Sequence, residues 1–274
     1  MNIRLDVYPK SWKDACVTAF LLVIIPVIYY FELYVVLPTF YPPWGLAYLF
    51  HFAVGHFILF NLCSNLLAIV LIDTSIAGKM LPTDGVNWHF CSVCETFVPA
   101  RSYHCPTCNV CILKRDHHCM FTSCCIGHYN HRFFLVFVLY VFIATLYSTV
   151  YNVQYIYQFI TFDSYLSLLK IVFPLTMLFV KWTSYQLQLS LVIVGILGCL
   201  FTGVLLYYHL NLILNGFTTH ERGRQVSVYD QGKMNNLKIA LGNRWYLVWI
   251  SPCIDSVLPC DGAVWTTNLS TKGK

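Results

Sequence analysis

Four stretches of this 274-residue chain, 15–37, 46–72, 133–162 and 189–214, are almost free of charge. Each is long enough for a helix to cross the hydrocarbon core of a bilayer, which takes about 20 apolar residues. In such surroundings every backbone N–H and C=O must be paired within its own segment, so the runs predict membrane helices. Only 11% of the residues are charged and 58% are hydrophobic, against about a quarter charged in soluble domains. Glu32 lies near the far end of the first run and is expected to snorkel to the luminal interface. Pro38, Pro42, Pro43 and Gly45 punctuate the loop that follows, making the first two runs a hairpin. Gly195, Gly198 and Gly203 in the last run predict close helix packing. A further apolar stretch, 165–180, is short and broken by Lys170 and Pro174, and reads as luminal, interfacial or re-entrant.

The seventeen Lys and Arg test the topology, because cytosolic loops carry the positive excess. Three precede residue 15, five lie in 73–132, seven follow 217, and only two fall in 161–186. The expected organisation is therefore a cytosolic N-terminus (1–14), a transmembrane hairpin (15–72) and a cytosolic cysteine-rich domain (73–132). Spans three and four follow (133–214) with a luminal or re-entrant piece near 163–186, then a cytosolic tail (215–274). No removable signal peptide is expected, since no small-residue cleavage site follows a short apolar core. The net charge of +5 is scattered, which suits an anionic lipid surface as partner and argues against nucleic acid.

Between the second and third runs, residues 91–134 hold eight of the thirteen cysteines. Cys91 and Cys94 form one Cys-x-x-Cys and Cys105 and Cys108 another, with Cys111, Cys125, His104 and His118 at zinc-knuckle separations. Eight such ligands make two tetrahedral Zn2+ sites, and a disulfide framework is the competing reading. The fold class expected is thus an all-α polytopic membrane protein, four transmembrane helices with a zinc-bound cytosolic domain between the second and third. Asp116, His117, Cys119 and Cys124 remain unspent. In an extended segment alternate side chains share a face, so His117 and Cys119 point together while His118 turns toward metal.

Asp116-His117-His118-Cys119 inside this cysteine pattern resembles the DHHC protein S-acyltransferases, the membrane palmitoyltransferases. The resemblance extends to Thr218-Thr219-His220-Glu221, similar to the family's TTxE motif, and to Asn236 ahead of Leu241-Gly242. It implies interleaved metal ligation, with Cys91, Cys94, His104 and Cys111 on one zinc and Cys105, Cys108, His118 and Cys125 on the other. It also implies that the Thr218-Thr219 motif packs near Asp116 and that Asn236 helps to dock the tail. An endomembrane location, Golgi or ER, is the family expectation. The partners implied are fatty acyl-CoA, palmitoyl-CoA above all, and membrane-associated proteins with acceptor cysteines.

Acyl exchange between thiols needs a group that is both nucleophile and leaving group, and a thiolate is both. Cys119 is that candidate, His117 its base, and Asp116 the carboxylate that orients the imidazole. Each Cys3His zinc site carries a formal charge of −1 and disfavours a nearby thiolate, so His117, Lys114, Arg115 or backbone donors must compensate. All eight ligands come from protein, so the zincs are expected to be structural. Met120-Phe121 stand where the family has Pro-Trp, Cys124 where it has Asn, and Asp73-Thr74-Ser75 is the remnant of an Asp-Pro-Gly. These departures support the alternative of a weak or inactive relative acting as a zinc-stabilised scaffold or chaperone. Cys124 reads as a second acyl acceptor, an alternative ligand to Cys125, or a small buried residue. The aromatic stretch 244–250 reads as a membrane-surface segment or a packed tail.

Overall fold

The computed structural model describes residues 3–79, 87–158, 184–223 and 228–267. Four helices among them are long and apolar enough to cross a membrane. They are α1 (Trp12–Phe40), α2 (Leu46–Leu71), α3 (His131–Tyr157) and α4 (Ser184–Leu214). The shortest has 26 residues, and at about 1.5 Å per residue it exceeds the hydrocarbon thickness of about 30 Å. Their outward faces carry Phe20, Phe50, Leu200 and Val204, all more than half exposed, as suits lipid rather than water. In α1 the turn Phe31–Val36 widens to π-helical geometry just before Pro38, whose ring crowds the preceding turn and whose missing N–H leaves a carbonyl unbonded. The segment 165–180 lies outside the described residues.

The expectation of an all-α fold is corrected by six three-residue strands among the described residues between α2 and α3. They are β1 (His89–Cys91), β2 (Thr96–Val98), β3 (Tyr103–Cys105), β4 (Val110–Ile112), β5 (His117–Cys119) and β6 (Cys124–Ile126). They pair as three antiparallel hairpins, β1 with β2, β3 with β4 and β5 with β6. The same turn recurs in each. The first strand ends on a cysteine, and the residue before the return strand has a positive φ: Glu95 at 50°, Asn109 at 53° and Ser123 at 51°. The register is the same too, Cys91 opposite Thr96, Cys105 opposite Val110 and Cys119 opposite Cys124. Tight knuckles of this kind leave no room for a helical turn, which is why the block forms hairpins.

The chain divides into two compact units. One comprises Met1–Leu22, Asn61–Phe137 and Leu206–Lys274; the other Val23–Phe60 and Val138–Leu205. Among the described residues the second unit is helical, with Phe31, Val36, Tyr155, Ile156, Leu189 and Val192 in a buried cluster. A Cβ on Gly203 would meet the Phe142 ring at 3.0 Å, so the small residue permits close packing of α4 on α3. Glu32 does not snorkel: its Oε1 accepts a hydrogen bond from Asn152 Nδ2 at 2.6 Å.

The first unit holds the hairpins, two short helices α5 (Thr219–Arg222) and α6 (Lys233–Leu241), and the tail after Gly242. Residues 73–76 run beside β4, with Leu113 N bonded to Thr74 O at 2.9 Å and Ile76 N to Cys111 O at 3.0 Å. The tail packs back on the start of α3: His128 Nε2 meets Cys260 O at 2.9 Å, Tyr129 Oη donates to Asp261 O at 2.8 Å, and Arg132 donates to Ser256 O at 2.8 Å. Val248, Ser256 and Ala263 are buried in that packing, so the tail is docked.

Candidate active site and metal centres

The eight ligands expected from the sequence fall into two groups: Cys91, Cys94, His104 and Cys111, and Cys105, Cys108, His118 and Cys125. Strand pairing explains the interleaving. His104 lies opposite Cys111 and His118 opposite Cys125, so each hairpin presents a His/Cys pair to the knuckle of the hairpin before it. With Zn–S near 2.3 Å and Zn–N near 2.0 Å, a tetrahedral zinc sets its ligands about 3.8 Å (S···S) and about 3.5 Å (S···N) apart. Cys108 Sγ lies 3.7 Å from Cys125 Sγ, and His118 Nδ1 lies 3.3–3.7 Å from the three sulfurs. In the other group Cys94 Sγ lies 3.3 Å from His104 Nδ1. All thirteen cysteines are unpaired, so no disulfide framework is present. Thiolates this close repel: Cys105 and Cys108 push the Cys125 thiol far above its ordinary range. A divalent cation is the partner that lets all of them ionise, and the two groups fit zinc.

Cys124 stands apart from both groups. It is buried, and its thiol reaches Ile69 O at 3.6 Å and Thr122 Oγ1 at 3.4 Å. Burial pushes that thiol up to about 11.

The third hairpin repeats the knuckle without its second ligand, because Thr122 occupies the place of the second cysteine. Cys119 therefore sits in a metal-type turn but belongs to neither metal group. His117, two residues earlier on β5, shares its face; His118 points the other way into the second tetrad. His117 Nδ1 bonds Asp116 Oδ2 at 2.7 Å, which leaves Nε2 for the Cys119 thiol. Asp116 is fully desolvated and is held from the far end of the chain. Thr219 donates its backbone N–H to Oδ1 and its hydroxyl to Oδ2, both at 2.8 Å.

Burial opposes charge on all three groups. For Asp116 it is outweighed by the hydrogen bond with His117 and by the surrounding imidazoles, which hold the carboxyl well below the usual carboxylate range. For His117 it is outweighed by Asp116 and Cys119, which bring the imidazole up to about 9. Cys119, pushed up by burial, is brought below its ordinary value by His117 and then by the side chain and backbone of Thr122. Lys114 is buried over the Trp265 ring at 5.6 Å, where burial lowers it to about 8 and the charges beside it include Cys260, Glu221 and Asp116.

Thr218 and Glu221 build the support for Thr219. They form a reciprocal capping box at the start of α5, Glu221 N bonding Thr218 Oγ1 at 3.2 Å and Thr218 N bonding Glu221 Oε2 at 2.9 Å. Arg101, from the turn before β3, clamps Glu221 with two bonds of 2.6 Å and donates a third to Gly216 O at 2.9 Å. Asn236 is buried, donating to Leu214 O at 3.0 Å and Asp230 Oδ1 at 2.6 Å and accepting from Gln231 N at 3.0 Å, so it ties α6 to the end of α4.

Sequence reasoning missed Arg101, Thr122, His131 and His209. His209 Nδ1 lies 3.8 Å from Asp116 Oδ2, and its ring packs 5.4 Å from His117 and 4.9 Å from Phe134. His131 completes a buried Asp116–His131–His209 cluster. A signal for His209 existed, because an imidazole within an otherwise uncharged membrane run is a functional candidate by default. For Arg101 none existed, since nothing local distinguishes it from a solvated arginine.

A family model described as DHHC palmitoyltransferase matches residues 85–226. "Probable palmitoyltransferase ZDHHC24" of Danio rerio is 35% identical over 230 residues, covering 82% of this chain and 78% of that protein. Proteins of the same name from Mus musculus (36% over 232 residues) and Homo sapiens (37% over 233 residues) each cover 82% of this chain and 82% of their own length. The family match takes in both ends of the Asp116–Thr219 contact, and the chain belongs to the DHHC palmitoyltransferases, enzymes of protein S-acylation.

Proposed function

We propose that the enzyme transfers a long-chain acyl group, palmitoyl above all, from acyl-CoA to protein cysteines through an acyl-enzyme on Cys119. The observation that carries this reading is the hydrogen-bond chain from Thr219 through Asp116 to His117, whose imidazole lies on the same face of β5 as Cys119 and holds its thiol below the ordinary range.

In the first step the Cys119 thiolate attacks the thioester carbonyl, a C–S bond to Cys119 forms, and the bond to CoA sulfur breaks. His117 delivers its proton to the departing CoA thiolate. In the second step His117 takes the proton of a substrate cysteine, whose sulfur attacks the acyl-enzyme and releases the Cys119 thiolate. Asp116 holds His117 in the tautomer that presents Nε2 and stabilises the imidazolium. Zinc in the two tetrads supplies structural cross-linking, with every ligand coming from the protein. Metal binding of about 10–16 kcal/mol per structural site rivals the whole stability of a typical domain, about 5–15 kcal/mol.

The catalytic block, residues 1–14 and the tail from 215 face the cytosol, where thiols stay reduced. The support is the Lys/Arg distribution, fifteen of seventeen in those segments. An endomembrane setting, Golgi or ER, and membrane-associated substrates complete the reading. The retained Asp116–His117–Cys119 chain favours catalysis over a scaffold role, despite Met120-Phe121.

The test is incorporation of radiolabelled palmitoyl-CoA into purified protein, wild type beside Cys119→Ser, with zinc measured on both. A hydroxylamine-sensitive label on the wild type alone, at equal zinc, is expected. Equal zinc with no label on either protein would overturn the mechanism in favour of the scaffold.

A further inference from the structure

The first turn of α1 reaches the metal centre beside the nucleophile. Ser11 caps this turn: its hydroxyl accepts the Asp14 N–H at 3.1 Å and its carbonyl the Ala15 N–H at 3.0 Å. Asp14 is 2% exposed, a location where a carboxylate needs a partner. That partner comes from 104 residues away: His118 Nε2 lies 3.3 Å from Asp14 Oδ2. The other ring nitrogen, Nδ1, is the one that faces the sulfurs of Cys105, Cys108 and Cys125. With Nδ1 committed to metal, Nε2 must carry the ring proton, and the carboxylate selects that tautomer while fixing the plane of the ring.

One helical turn further on, Thr18 bonds Met120 O at 3.0 Å and Ser123 Oγ at 2.6 Å. Arg4 adds a bond to Ser123 O at 3.3 Å. The N-terminal segment thus holds β5 from its metal side through Asp14 and holds the β5–β6 turn through Thr18 and Arg4.

We propose that Asp14 is a positioning residue for the nucleophile: it orients the zinc ligand His118, and because His118 lies between His117 and Cys119 on one strand, it fixes the face on which those two meet. This inference rests on the zinc reading above. A carboxylate behind a metal-bound imidazole typically contributes about 10–100-fold in metal affinity. Asp14 therefore guards the second tetrad specifically, and the first tetrad, ligated by His104, is independent of it.

The test follows zinc release from the full-length protein in detergent to a chromogenic chelator, alongside acyl-enzyme formation. Wild type should release two equivalents slowly, as its two ligand groups require; fewer than two would refute the zinc reading itself. Asp14→Ala should release one of them about 10–100-fold faster and leave the other unchanged, with acyl-enzyme formation reduced. Asp14→Asn, which keeps the volume and an acceptor oxygen, should fall between. Thr18→Val should slow acylation without hastening zinc release. Wild-type release of both equivalents from Asp14→Ala would overturn the proposal. So would equal acceleration of both, or acceleration by Thr18→Val to match Asp14→Ala, since the effect would then be general loosening.

Discussion

Thr219 grips both oxygens of Asp116, with its backbone N–H on Oδ1 and its hydroxyl on Oδ2, each at 2.8 Å. The second of these bonds shares its oxygen with His117 Nδ1, so Thr219 settles where the carboxylate points and therefore where the imidazole points. A hydrogen bond to a charged group is worth about 1.5–3 kcal/mol. Thr219→Val keeps the backbone bond and loses the other, so acyl-enzyme formation should slow about 10–100-fold. Zinc content, measured on the same sample, should not change.

The Arg101–Glu221 pair is buried on both sides, with side chains 2% and 1% exposed. Removing one partner strands a charge in low dielectric, at about 3–5 kcal/mol. Glu221→Gln should therefore lower the thermal unfolding midpoint in detergent clearly. Arg101→Lys should do so as well, because an ammonium cannot reproduce the two parallel bonds.

Cys119 is held below its ordinary pKa and His117 is raised to about 9. A thiolate–imidazolium pair is therefore populated between those two values. As pH rises, alkylation of Cys119 by a small haloacetamide should begin below the pH of an ordinary cysteine, about 8.5. Acyl transfer should fall again as pH passes about 9, because His117 then has no proton for the leaving CoA. In His117→Gln burial remains while its counterweight is gone, so the alkylation midpoint should move above about 8.5.

Cys125 belongs to the second tetrad and Cys124 does not. Cys125→Ser should cost one of two zinc equivalents by metal analysis, whereas Cys124→Ser should retain both. Retention of full zinc by Cys125→Ser would reverse the assignment.

Stripping zinc with a strong chelator should melt the hairpins while leaving helical signal from α1 to α4. Their strands are three residues each, and half of the residues in their two buried clusters are the ligand cysteines themselves. Far-ultraviolet dichroism together with proteolysis at Arg101 or Arg115 would read the two parts separately.

What the sequence determined by itself was whatever depends on short spacing. The uncharged runs required helices because lipid offers the backbone no partner. Cys-x-x-Cys spacing marked the two complete knuckles. The alternation of His117, His118 and Cys119 set which of them share a face. The strands were not foreseen, because a three-residue strand is too short to show a period and is specified by the knuckle turn instead.

The tertiary structure decided the rest. Asp116 meets Thr219 across 103 residues, Arg101 meets Glu221 across 120, and His118 meets Asp14 across 104. No local pattern encodes such contacts. They form because buried carboxylates and guanidinium groups must find partners wherever the packed helices and hairpins bring them.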